Sequence, residues 1–258
     1  MKRADLSARE LWVCHLGTIP YRDAVLMQEG IRTRRQAGEL PDTLLLLEHP
    51  PVYTRGRRSV DGELPLGEDF YRERDIEIVP TDRGGRITYH GPGQLVGYPI
   101  MAIEAVDRYL RTMEEAIVMA LAEEGVEARS RPGEGPDYTG VWVEDRKIAS
   151  IGVHVSRGVT THGFAVNVDN DLEPFSWVVA CGLPGVSMTS LARERELSVQ
   201  HGEMGSQRTS GLACVRKRVA HSFCRVHGRR QRLVSPAWLK IQAPIARAGI
   251  GPRETIAA

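Results

Sequence analysis

Three β-patterned runs, at 140–143, 147–155 and 161–168, follow one another with turns of a few residues at 144–146 and 156–158. Connections that short force neighbouring strands to run antiparallel, so the spacing predicts a meander. Upstream, Leu44-Leu45-Leu46-Leu47 is a continuous apolar run halted by Pro50-Pro51, the pattern of a buried strand. Residues 11–17 read as a first short strand and 52–54 as a continuation after the prolines. Residues 75–79 form a weak strand, and 87–90 and 95–100 are strands on either side of a turn. Between them run helices. Residues 21–37 place Ala24, Val25, Gln28 and Ile31 at helical spacing. The clearest helix begins at Val106 and aligns Tyr109, Leu110, Met113, Ile117, Ala120 and Leu121 on one face, ending near Gly125. A third spans 189–197. Strands and helices are mixed without a regular βαβ alternation, so the expected class is α+β.

The chain of 258 residues suits one sizeable domain, with or without an appendage. It has no apolar run of the ~20 residues that a membrane helix needs. Residues 1–10 are polar and lack the apolar stretch of a signal peptide, so a cytoplasmic monomer is the default expectation. The four cysteines, Cys14, Cys181, Cys214 and Cys224, form no C-x-x-C pair, which argues against a disulfide framework or a zinc ribbon, and no metal site is expected. Charge divides the chain. Residues 201–258 carry 11 Lys/Arg against 2 Asp/Glu (+9), and the rest carries 23 against 31 (−8). The expected organisation is therefore an acidic catalytic body over 1–200 and a basic extension over 201–258. The extension is weakly periodic and broken by Pro236, Pro244 and Pro252, and reads as divergent, loosely packed or flexible. Such a segment predicts salt-sensitive association with polyanions. With few aromatics and no recognised motif, however, nucleic-acid binding is not the expected main function.

Three constellations can carry chemistry. Arg83-Gly84-Gly85-Arg86-Ile87-Thr88-Tyr89-His90-Gly91-Pro92-Gly93-Gln94 places glycines on both sides of a short strand, where backbone can approach a ligand or simply turn. It fits neither G-x-G-x-x-G nor G-x-x-x-x-G-K-[ST], so neither a dinucleotide nor a P-loop site is indicated, and no cofactor is expected. Lys147 opens the apolar strand Lys147-Ile148-Ala149-Ser150-Ile151-Gly152. It is either a turn lysine or one drawn toward a dry site, where desolvation would let it exchange protons near neutrality. Cys181 stands between an apolar run and a Gly-Leu-Pro-Gly turn. Alone it reads as a core cysteine; beside a Lys or His it would be a nucleophile.

The blocks RGGRITYHGPGQLVGYPI (83–100), LEHPPVYTRG (47–56), KIASIGVHV (147–155), THGFAVNV (161–168) and ACGLPGVSMTSL (180–191) resemble, in order and spacing, those of the lipoate-biosynthesis octanoyltransferases. The resemblance covers most of 11–195 and stops short of 201–258, which lacks the helical C-terminal segment expected of the family. It implies a biotin/lipoate protein ligase-like domain, a central mixed β-sheet flanked by helices. It also implies an acyltransferase that moves an octanoyl group from octanoyl-acyl-carrier protein to a lysine of lipoyl domains. These would be the lipoyl domains of 2-oxoacid dehydrogenase complexes and the glycine-cleavage H protein. By the same resemblance Cys181 is the acylated nucleophile and Lys147 its acid/base partner. The acyl cleft would be lined by Arg83, Gly84, Gly85, Arg86, Ile87, Thr88, Tyr89 and His90, by Ser150, Ile151 and Gly152, and by Gly163, Phe164 and Ala165. His49 and His162 would stand nearby in structural or positioning roles.

The chemistry suits these residue types. Thioester exchange onto a cysteine is nearly isoenergetic, and amide formation is downhill, so no ATP is required. Backbone N–H groups near Gly84-Gly85 or Ser150-Ile151-Gly152 are candidate oxyanion donors. Arg55, Arg57, Arg58, Arg83 and Arg86 are candidates for a basic docking surface. Two rival readings remain at this stage. One is an ATP-using lipoate–protein ligase; the other is a cysteine hydrolase pairing Cys181 with His90 or His162.

Overall fold

A computed structural model describes residues 9–179, 185–200 and 211–241. In chain order the elements are β1 (Glu10–Thr18), α1 (Tyr21–Gln36), β2 (Thr43–Glu48), β3 (Val52–Arg55), α2 (Glu68–Arg72), β4 (Glu77–Pro80), β5 (Thr88–His90) and β6 (Gln94–Ile100). There follow α3 (Val106–Ala122), β7 (Arg129–Ser130), β8 (Gly140–Val143), β9 (Arg146–Ser156) and β10 (Val159–Asn167). Helices α4 (Leu191–Gln200) and α5 (Leu212–Val226) and strand β11 (Arg230–Leu233) complete the order. Strands β8, β9 and β10 are the expected antiparallel meander. They extend into an eight-stranded sheet in the order β11-β1-β2-β6-β10-β9-β8-β7. Its β1 pairs in parallel with β2 and β11, which makes the sheet mixed. A separate three-stranded sheet, β4-β3-β5, holds the Gly-rich segment.

The apolar run in β2 has a simple cause. Side chains alternate across a strand. Leu44 and Leu46 enter a core shared with α3 and α5, and Leu45 and Leu47 enter a second core shared with α1. A strand covered on both faces has no polar side to display. Helix α3 buries Tyr109, Met113, Ala116, Ile117, Ala120 and Leu121 on the first core, as its spacing predicts, and adds a buried carboxylate, Glu114. Helix α2 was not anticipated; five residues are too few to show a period. Among the described residues no helix is long and apolar enough to cross a membrane.

Residues 211–241, assigned by the sequence reading to a loosely packed extension, are an integral layer. Helix α5 buries Val215, Val219, Ala220, Phe223 and Cys224 against α3, and β11 extends the main sheet alongside β1. The apolar period in α5 is present in the sequence but interrupted by Arg216-Lys217-Arg218. The charge asymmetry is used in docking. Arg218 pairs with Glu124, Arg229 with Asp42, and Arg230 and Arg232 with Glu10. The rest of the extension, 201–210 and 242–258, lies outside the described residues.

Candidate active site

A cavity of about 290 Å³ lies where the Gly-rich segment crosses the main sheet. One wall is Arg83, Gly84, Gly85, Arg86, Thr88 and His90. The facing wall comes from β9 and β10: Lys147, Ser150, Ile151 and Gly152, then Gly163, Phe164 and Ala165. The Gly84 N–H donates to the Val153 carbonyl at 2.9 Å, which ties the two walls together. That approach needs glycine on the strand, since a Cβ at Gly152 would stand 2.7 Å from the Gly84 oxygen. Two residues of the expected cleft face elsewhere. Ile87 and Tyr89 point to the opposite side of β5, into a cluster with Tyr53, Tyr71 and Phe175. Alternation along the strand requires this once Thr88 and His90 face the cavity.

Lys147 is 2% exposed. Among the described residues its Nζ donates to the Asp137 carbonyl at 3.4 Å and lies 5.1 Å from the centre of the Trp142 ring. Its backbone is held on both sides by the segment after Cys181. The Lys147 N–H donates to the Ser187 carbonyl at 2.9 Å, and the Thr189 N–H donates to the Lys147 carbonyl at 3.0 Å. Gly140 lies beneath the lysine stem with φ +140°, and a Cβ there would meet Lys147 Cε at 2.8 Å.

The other end of the cavity is a polar aromatic floor. Asn167 Nδ2 donates to the Thr189 carbonyl, which leaves its Oδ1 to accept from Gln94 Nε2 at 2.9 Å. Gln94 Oε1 then accepts from His90 Nδ1 at 2.7 Å, so His90 turns Nε2 toward the Thr54 hydroxyl at 3.4 Å. Thr54 also receives Arg83. The guanidinium donates to its carbonyl at 2.6 Å and to its hydroxyl at 2.7 and 3.2 Å. His49 donates from Nδ1 to the Ile19 carbonyl and accepts at Nε2 from the Tyr98 hydroxyl, both at 2.6 Å. Burial pushes His49 down to about 4, and burial, reinforced by His49 and Arg83, holds His90 well below the usual histidine range. His162 carries a left-handed backbone (φ 58°) that aims its ring at Asp82. Its Nε2 donates to that carboxylate at 2.7 Å, and Nδ1 faces the Tyr21 hydroxyl at 3.4 Å. The hydrogen bond from His162, opposed by partial burial, lowers Asp82 to about 2.

Sequence reasoning did not anticipate several cavity residues. Tyr21 of α1, Val96 and Tyr98 of β6, Val106 and Leu110 of α3, and Pro136, Asp137 and Thr139 all reach the cavity. Val106 and Leu110 sat on the predicted apolar face of α3 and read there as core. No local signal marks the others, because the packing that recruits them is long-range. Of the expected docking arginines, Arg58 lines the cavity and pairs with Asp137 at 3.0 Å, and Arg86 pairs with the buried Glu63 at 3.3 Å. Cys181 lies outside the described residues. Its described flanks are tied at both ends, Val179 N–H to the Glu63 carbonyl at 3.1 Å and Ser187 to Lys147.

A mixed sheet with helices on both faces carries this Gly-walled, lysine-bearing cavity, and comparison with known proteins identifies the class of domain. Residues 20–212 match the model of the lipoyl protein ligase A/B catalytic domain, and the chain belongs to that family. It is 48% identical over 197 residues to a protein named octanoyltransferase from Rubrobacter xylanophilus, covering 75% of this chain and 86% of that one. It is 46% identical over 204 residues to an octanoyltransferase from Solibacter usitatus, covering 77% and 89%. Among solved structures, a lipoate-protein ligase A bound with ATP superposes with a TM-score of 0.72 at 19% identity, covering 88% of this chain and 89% of that one. A putative lipoate protein ligase from T. acidophilum with bound lipoic acid does so at 0.70 and 21%, with 88% and 89% covered. These structures share the expected α+β ligase-like fold.

Proposed function

We propose that this chain transfers octanoyl groups through a thioester on Cys181, with Lys147 moving the protons. Octanoyl transfer is its activity by kinship with relatives of that name at 48% and 46% identity over most of both chains. One structural observation carries the mechanism. Lys147 is a buried amine opening on the cavity, and its backbone is bonded to Ser187, six residues past Cys181.

The donor is octanoyl-acyl-carrier protein. The Cys181 thiolate attacks the thioester carbonyl, and the carrier's thiol leaves with a proton from the Lys147 ammonium. The amine of a lipoyl-domain lysine then attacks the Cys181 thioester. Its proton passes to Lys147, an amide forms, and the thiolate is restored. General acid–base help of this kind is typically worth ~10²–10⁴ in rate. The octanoyl chain lies against Phe164, Ile151, Val96 and Leu110. Burying about seven of its carbons at ~0.8 kcal/mol each supplies roughly 5 kcal/mol of binding. The Gly-rich wall and 150–152 hold the acyl group, and the exposed Arg57 and Arg58 beside them face the acidic carrier. The His–Tyr floor orients these walls. Residues 1–200 carry the catalytic residues, with α5 and β11 completing the layer behind them.

The test is intact-mass spectrometry after mixing the chain with octanoyl-acyl-carrier protein without ATP, alongside Cys181→Ser. A hydroxylamine-labile octanoyl adduct on wild type is expected. It should be absent from the variant and pass on to a lipoyl domain. Transfer that needs ATP and free acid instead would replace this reading with the ligase one, and release of free octanoate without an acceptor would indicate a hydrolase.

A further inference from the structure

Helix α3 presents an apolar face to the core with one exception. Glu114 is 1% exposed among Met113, Ala116 and Ile117. A carboxylate in that position carries a large desolvation cost, so its partners define what it does. Oε1 accepts the Gly140 N–H at 2.9 Å, and Oε2 pairs with Arg111 at 2.6 Å. Gly140 is the residue on which the Lys147 stem rests, with Cε 2.8 Å from the position of a Cβ. Burial raises the Glu114 carboxyl above its usual range, while the Gly140 N–H, Arg111 and Lys147 draw it back. The other carboxylate nearby, Asp137, is turned to Arg58 at 3.0 Å and offers Lys147 its carbonyl instead.

We propose that Glu114 is a positioning residue for Lys147: it fixes the Gly140 backbone on which the lysine stem packs and places a buried negative charge behind that backbone. The carboxylate is not among the residues that line the cavity, and it acts through the lysine. Its charge and its hydrogen bond are separable. Glutamine keeps an acceptor for the Gly140 N–H and discards the charge, so a structural role alone would survive Glu114→Gln and the electrostatic role would not.

The role of Lys147 in transfer belongs to the reading above, so the experiment reads the lysine's own titration rather than turnover. The chain has four lysines, Lys2, Lys147, Lys217 and Lys240, so side-chain ¹³Cε labelling gives a sparse NMR spectrum. Lys147→Arg assigns the signal of interest. Removing an opposite charge near a buried ammonium disfavours the charged form, so the Lys147 signal of Glu114→Gln should titrate at lower pH than that of wild type. Arg111→Gln, at a side chain 37% exposed, removes the competing cation and should raise the midpoint. Arg111→Gln also decides the matter if Glu114→Gln does not fold. A Lys147 midpoint unmoved in the folded variants overturns the proposal. A midpoint that moves while the pH profile of octanoyl transfer stays fixed keeps Glu114 in place and removes Lys147 as the acid/base.

Discussion

His49 and Lys147 are both buried polar side chains in one small region, yet their surroundings are built on opposite terms. Around His49 every partner is neutral: a carbonyl on one ring nitrogen and the Tyr98 hydroxyl on the other. His90 sits in a similar chain of amides and hydroxyls that fixes its tautomer. Burial holds both rings neutral, so near neutrality neither carries the imidazolium proton that a general acid would give up. Lys147 instead has a long bond to a carbonyl and an aromatic face, and its stem packs on Gly140, which the buried Glu114 carboxylate holds. The two histidines are a scaffold that keeps one charge state, and the proposed proton carrier stands at the other end of the cavity.

The sharpest way to break this contrast is to remove the amine. Lys147→Met should keep the fold and lower the octanoyl-transfer rate by ~10²–10⁴. A loss of less than tenfold in single-turnover assays would mean that the proton is handled elsewhere. Next in size is acid sensitivity. An unfolded histidine titrates near 6.5 and His49 at about 4. As pH falls through that window the unfolded chain takes up a proton that the fold refuses. Stability should therefore fall by about 3 kcal/mol between pH 6.5 and 4 on account of this ring, and by nothing further from it below 4. His49→Gln should flatten that part of the urea-midpoint curve, and identical slopes for variant and wild type would count against a neutral His49. The smallest effect is expected at Thr54. Thr54→Val keeps the carbonyl that Arg83 uses but strips the hydroxyl shared by Arg83 and His90. It should cost about 1–2 kcal/mol in urea unfolding and leave the pH profile of transfer in place. A displaced profile would join the floor to the chemistry.

Much of this plan was legible in the sequence. The meander followed from turns too short for anything else, and the α3 stripe and the Leu44–Leu47 run marked the two faces of the sheet. Lysine at the mouth of an apolar strand and glycines on both sides of a short strand were visible as oddities. What stayed hidden depends on distance along the chain. Gln94 and Asn167 lie 73 residues apart, Tyr21 and His162 lie 141 apart, and no local pattern announces either pair. The left-handed turn at His162 is equally silent, because nothing in Thr-His-Gly demands it. The basic C-terminal region misled for a different reason. Its charges masked the period of α5, although the acidic excess of the body was the complementary half of the same feature.

The pairing of β1 with β11 has a consequence in time. Arg230 reaches Glu10 across 220 residues, so when the chain is made from its N-terminus, β1 waits with one edge open until nearly everything else has emerged. At ~5–20 residues per second that interval is roughly ten to forty seconds, during which an unpaired strand is a template for the wrong neighbour. Glu10 stands on that waiting edge, and its carboxylate is paired and buried only when Arg230 and Arg232 arrive with β11.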